Sequence, residues 1–260
     1  MIKKVIAIGC LLALLAGILF FPKGLDTAVW HYREDPKRAV IIHYDEDLPP
    51  AVGLTLNAQN TEELMRRLRP LKERRTGNRQ PGTDAPVQYV LRLRTSESDA
   101  YAPVESSEVT LFDGSGLLRA TREDTSASYR IDGATLEKLY GIFDSYLYPE
   151  GGYPGRAFLE TFFTVGNSPE ALVPYMTEDA LRQLKLDGLS EKLEQRCQPQ
   201  ADSWRIIMIR IDETPAPGSF GFWADLQGEK DGEAVLESFG GSYTVDENGS
   251  VSAFFTDLQK

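Results

Sequence analysis

The segment Gly240–Phe255, GGSYTVDENGSVSAFF, decides how the C-terminal part of the chain is read. It holds the end of one strand, EAVLESFGGSYTV, and the start of another, SVSAFFT, joined at Asp246-Glu247-Asn248-Gly249. Asn-Gly favours a tight primed hairpin turn, because that turn needs positive φ at its central residues. DENG is not a calcium loop, since its glycine comes at the fourth position instead of the sixth. Gly240-Gly241, inside the longer strand, predicts a bulge that bends the sheet.

Working outward, WRIIMIRID (Trp204–Asp212) and FGFWADLQ (Phe220–Gln227) predict two further strands. Helical segments precede them: AFLETFFTV, a turn begun by Pro169 after Ser168, EDALRQLKL and SEKLEQR. Strand alternation places Phe220, Phe222, Ala224 and Leu226 on one face and Gly221, Trp223 and Asp225 on the other. The first set is the expected core face, packed on Phe158, Leu159, Phe162 and Phe163. Trp223 and Asp225 then become contact residues on the outer face. Tyr175 and Tyr243 complete the candidate ligand- or partner-binding groups, being polar or amphipathic residues that an open pocket would present.

Helices followed by a bent antiparallel meander, carried by AFLETFF and GGSYTVDENGSVSAFF, resemble the nuclear-transport-factor-2-like fold. The resemblance covers about Gly155 to Lys260. It implies a curved sheet wrapped round a helix, with a pocket between them that serves enzymes in some members and binding or assembly in others. It transfers no catalytic residue and selects no activity.

Upstream, KRAVIIHY predicts a strand ended by DEDLPP. Asn60, with Glu63 three positions on, predicts the capping box of a helix running through NTEELMRRLRPLKERR, kinked or divided at Pro70. VQYVLRLRT alternates as a half-buried strand, EVTLFDGSGLLRATRE is a hairpin, and ASYRI is a further strand. Asp132 caps a helix whose Leu136, Leu139, Tyr140, Phe143 and Leu147 form one stripe. YPEGGYPGR, dense in Pro and Gly, reads as a linker. The expected division is therefore a membrane anchor or signal segment at 1–24, a small α+β domain at 25–147, a linker at 148–156 and a second α+β domain at 157–260. This first domain resembles small uncharacterised domains of anchored proteins from Gram-positive bacteria.

At the N-terminus, Val5–Phe21 carries no charge and follows Lys3 and Lys4. As a helix it would span roughly 25 Å, slightly short of a hydrocarbon core. A removed signal peptide needs small residues three and one positions before the cut, and the end of this run has no such pair. AIGC, ending at Cys10, loosely matches a lipid-attachment motif, but the apolar run ahead of it is too short. An uncleaved, single-pass anchor with the body extracytoplasmic accounts for both facts.

The formal net charge is -11, with the acidic excess greatest in the C-terminal half, which argues against nucleic acid as a partner. Arg66, Arg67, Arg69, Lys72, Arg74 and Arg75 are the one basic cluster. They are candidates for contact with an anionic surface, or the solvated face of a helix. Two cysteines, Cys10 and Cys197, are too differently placed to pair, and Cys197 reads as a lone buried thiol. His43 in HYDED has no second ligand group in view, so no metal and no cofactor is expected. The chain is thus expected to be a non-catalytic, membrane-anchored protein binding an envelope protein or a small ligand. The alternative is a small-molecule enzyme of isomerase or hydratase type, with its pocket in the C-terminal domain.

Overall fold

A computed structural model describes residues 23–24, 36–44, 50–75, 86–94, 106–112, 117–122 and 125–259. The expected anchor, Val5–Phe21, lies outside these residues, as do residues 25–35. Among the described residues no helix is long and apolar enough to cross a membrane. The fold is α+β and divides into two compact units: Ala58–Phe143 with the chain up to Ala39, and Val40–Asn57 with Asp144–Lys260.

In the first unit the strands β1 (Lys23–Gly24), β4 (Lys72–Arg75), β5 (Val87–Arg94), β6 (Ser106–Phe112), β7 (Leu117–Arg122) and β8 (Thr125–Arg130) follow the order β1-β4-β8-β7-β6-β5. Each pairing is antiparallel. Tyr89, Leu91 and Leu93 are buried as the alternation requires, and Leu111 lies opposite Leu118 across the hairpin. Helix α1 (Ala58–Leu68) buries Thr61, Leu64, Met65 and Leu68 along one stripe. The Thr61 hydroxyl accepts the Ala39 N–H at 3.0 Å. Helix α2 (Gly133–Leu147) is capped by Asp132, whose carboxylate accepts the Thr135 N–H at 2.9 Å.

Two expectations fail here. Asn60 does not start α1, which begins at Ala58 and leaves Asn60 inside the helix. The basic run is divided at Pro70, one of the two outcomes expected there, but its second half is not helical. Its helical part ends at Leu68, ahead of Pro70, and Lys72–Arg75 form the strand β4. Proline lacks the N–H and crowds the preceding turn, so it separates the two halves instead of merely kinking them.

The second unit is built on β9 (Ser203–Glu213), β10 (Ser219–Lys230), β11 (Glu233–Val245) and β12 (Val251–Thr256), an antiparallel meander. The strand β3 (Ala51–Leu56), buried at every position, joins it in parallel beside β9, with Ala51 opposite Met208 and Leu54 opposite Ile211. β2 (Arg38–His43) lies next to β3, and its residues from Val40 belong to this unit. The expected boundary thus needs correction: Ala51–Leu56, placed in the first domain, is a sheet strand of the second unit. The division along the chain falls within α2, between Phe143 and Asp144, not at 148–156.

The meander packs on α3 (Arg156–Phe162), accompanied by α4 (Glu178–Leu186) and α5 (Leu189–Cys197). Phe158 and Phe162 each meet the Phe254 ring edge-on at 4.9 Å, and Phe163 lies 5.6 Å from Phe222 and 5.5 Å from Phe239. These edge and tilted arrangements suit the quadrupoles of aromatic rings. Phe222, Ala224 and Leu226 are buried, as expected for the core face. Phe220 on the same face is half-buried.

The expected bulge at Gly240-Gly241 is absent. Pairing of β10 with β11 runs unbroken through both glycines, with Phe222 opposite Gly241 and Trp223 opposite Gly240. The irregularities fall elsewhere, at Asp225/Leu226 between β9 and β10 and at Thr244/Val245 between β11 and β12. The glycines are there for space. A Cβ at Gly241 would stand 2.0 Å from the Phe255 carbonyl oxygen and 2.7 Å from the Phe222 ring.

Replacing Phe222 by Ala should cost about 3–5 kcal/mol, the range for a buried aromatic. Trp223→Ala should cost much less. Thermal melts of the two variants check this, and the reverse order would invert the assignment of faces.

Candidate functional site

On the outer face of the β10 strand, Trp223 stands between Arg210 of β9 and Gly240 of β11. A Cβ at Gly240 would lie 3.0 Å from the indole, so glycine lets the ring rest against the backbone. The indole N–H donates to Asp225 Oδ1 at 2.7 Å, and the Ser238 hydroxyl donates to the same oxygen at 2.6 Å. Asp225 and Ser238 are themselves cross-strand partners. An aromatic ring and a carboxylate are therefore held in one orientation by the fold itself.

Around this pair the outer face is mixed. Arg210 is held by Asp212, with Nε donating to Oδ1 at 2.9 Å. Leu236 is 65% exposed and Phe255 58% exposed. Both share the outer face, Leu236 opposite Gln227 and Phe255 opposite Ser242. Chemically this face sets carbon-rich residues near a fixed carboxylate.

Of the other candidates, Tyr243 is not on this surface. It is fully buried, and its hydroxyl donates to the Pro154 carbonyl at 2.8 Å. Tyr175 is half-buried and lies where its carbonyl accepts the Val251 N–H at 2.8 Å. Only Trp223 and Asp225 come together. On α1, Arg66 is exposed and Arg67 half-buried, with Arg66 paired to Glu63, and Arg69 is exposed just past the helix end. Lys72, Arg74 and Arg75 lie on β4 instead, so the cluster is not a single helical face.

The stretch read as a linker is tied down. The Tyr153 hydroxyl donates to Glu213 Oε1 at 2.8 Å, and the other oxygen of Glu213 accepts the Asn57 N–H at 2.9 Å. Phe220 fits between the Tyr153 and Tyr243 rings, with centroids 5.8 and 5.3 Å away. Gly155 has φ 74, and a Cβ there would lie 2.3 Å from the Tyr243 ring. His43 Nδ1 shares a hydrogen bond of 2.7 Å with the Tyr148 hydroxyl, and the Arg156 guanidinium lies 5.1 Å above the Tyr148 ring. These contacts were not legible as a site. The density of aromatic residues among the prolines and glycines was the available signal.

Burial, then the Glu213 charge, pushes the Tyr153 phenol well above the usual tyrosine range. Burial, then Asp212, does the same to Tyr243. Burial also pushes the Cys197 thiol up to about 11, as a buried, free cysteine requires. Among the described residues no group of acidic, histidine or cysteine side chains could hold a metal ion. No family model matches this chain, and neither a curated protein nor a solved structure matches it.

The raised phenols set a pH dependence. In the fold Tyr153 and Tyr243 stay protonated, whereas an unfolded tyrosine ionises near pH 10. Their contribution is fully present below about pH 10 and is lost as pH rises further. Tyrosinate absorbance, followed with circular dichroism, should show part of the tyrosine signal appearing only as the fold is lost. Complete ionisation with native dichroism would contradict the arrangement.

Proposed function

We propose that this chain is a non-catalytic binding protein of the bacterial envelope, held in the membrane by Val5–Phe21 with its body extracytoplasmic. Its contact surface is the outer face of the second unit around Trp223 and Asp225. The observation that carries this reading is the Trp223–Asp225–Ser238 arrangement, pre-oriented on a face that also exposes Leu236 and Phe255. An aromatic anchor with neighbouring apolar residues and a polar rim is the composition of a protein interface. The partner chemistry it suits is another envelope protein offering an apolar patch and a donor for the Asp225 carboxylate.

The isomerase or hydratase alternative draws less support. Tyr243, the residue it would place in a pocket, spends its hydroxyl on a main-chain carbonyl and its ring on Gly155 and Phe220. The nuclear-transport-factor-2-like reading is supported by α3 seated in the antiparallel meander. The parallel strand β3 beside β9 is an addition to that plan.

Two experiments test the proposal. A photo-crosslinking residue in place of Leu236 should yield one discrete adduct in intact envelopes. Trp223→Ala should weaken that interaction by roughly 2 kcal/mol, about thirtyfold, without a comparable loss of thermal stability. An adduct indifferent to Trp223→Ala would end the assignment of this face. Intact mass of membrane-extracted protein should show Val5–Phe21 retained. A start near Lys23, or a lipid on Cys10, would overturn the anchor.

A further inference from the structure

At the far end of β9, β10 and β11, beside the two-residue turn Asp231-Gly232, lies a partly open cleft of about 650 Å³. Its lining includes Ser203, Trp204, Arg205, Gln227, Gly228 and Glu229. Ser203, Arg205, Gln227 and Glu229 fall on one face of the ribbon by strand register, Arg205 opposite Gln227 and Ser203 opposite Glu229. This size is within the range of small-ligand sites, roughly 300–1,000 Å³. The cleft adjoins the Trp223 surface, Gln227 lying opposite Leu236, but none of the residues named for that surface lines it.

Its chemistry is specific in kind. Arg205 donates through Nη2 to Gln227 Oε1 at 2.9 Å, which fixes two planar polar groups side by side. The bond leaves the Gln227 amide N–H groups and further guanidinium N–H groups as donors. Glu229 supplies acceptors, and the Ser203 hydroxyl supplies both roles. The Arg205 and Glu229 charges offset each other, which disfavours a strongly anionic or cationic ligand. Trp204 and Gly228, between these residues in the strands, turn to the opposite face: the Trp204 indole N–H is given to the Cys197 carbonyl at 3.0 Å, and its ring lies against Gly228, where a Cβ would come within 2.9 Å, which holds the strand ends beneath the cleft.

We propose that this cleft binds a neutral polyhydroxylated ligand, a segment of an oligosaccharide chain. Pyranose rings present adjacent hydroxyls that pair with planar amide, guanidinium and carboxylate groups, and C–H faces that fit over the small Gly232 and Ala234 of the lining. Preformed polar groups keep the ordering cost of binding low.

The test is titration calorimetry of the full chain with cellotetraose, N-acetylchitotetraose and maltotetraose at millimolar concentrations. At least one should bind saturably. Arg205→Ala and Gln227→Ala should each weaken it about tenfold, the scale of lost hydrogen bonds, with unchanged melts. Trp223→Ala should bind as the unaltered chain does, which separates this cleft from the partner surface. Heats of dilution alone for all three sugars would overturn the proposal. So would binding that Arg205→Ala and Gln227→Ala leave intact, or that Trp223→Ala abolishes.

Discussion

Gly241 is the tightest point of the second unit. A side chain there would collide at once with the Phe255 carbonyl of β12 and the Phe222 ring of β10. Because that space is left empty, β11 pairs closely on both sides and Phe222 can turn inward to Phe163 and Phe254. One residue earlier, Gly240 makes the matching space on the opposite face, where Trp223 lies down. The Gly-Gly pair thus serves two large aromatics, one facing in and one facing out. The core and the outer aromatic face are two sides of the same backbone constraint.

The inner aromatic cluster ends at the segment 148–156. Tyr153 and Tyr243 are the largest groups at that end, and each would carry an unpaired hydroxyl into a buried place without a partner. Glu213 and the Pro154 carbonyl supply those partners. Glu213 also receives the Asn57 N–H, so one carboxylate binds together three stretches that are far apart in the chain. A buried carboxylate is tolerated here because donors surround it.

The legible parts of this architecture were those set by local periodicity. Period-two alternation separated Phe222 from Trp223, and Asp132 was readable as a cap because its partner is only three residues away. The Gly240-Gly241 pair was misread because a glycine within a strand signals either a bulge or a close approach, and the approaching atoms belong to other strands. AVGLTL, the β3 strand, was passed over. It is buried on both faces and so lacks alternation, and its partner β9 is remote in sequence. YPEGGYPGR was misread for a related reason. Proline and glycine report backbone conformation, whereas Tyr153 and Gly155 are held by Glu213 and Tyr243. The Arg205–Gln227 pairing also depended on a strand register that local pattern does not reveal.

The parallel pairing of β3 with β9 has a consequence for how the protein comes into being. Asn57 and Glu213, which close the end of that pair, are 156 positions apart. During synthesis β3 has β2 beside it, but it must wait for its other sheet neighbour, β9, until most of the chain has followed it. Closing so long a loop carries an entropic cost that only the completed meander can offset. The second unit is therefore a late-folding body. In the interval β3, apolar at nearly every position, is a strand that a wrong neighbour or a chaperone can take up first.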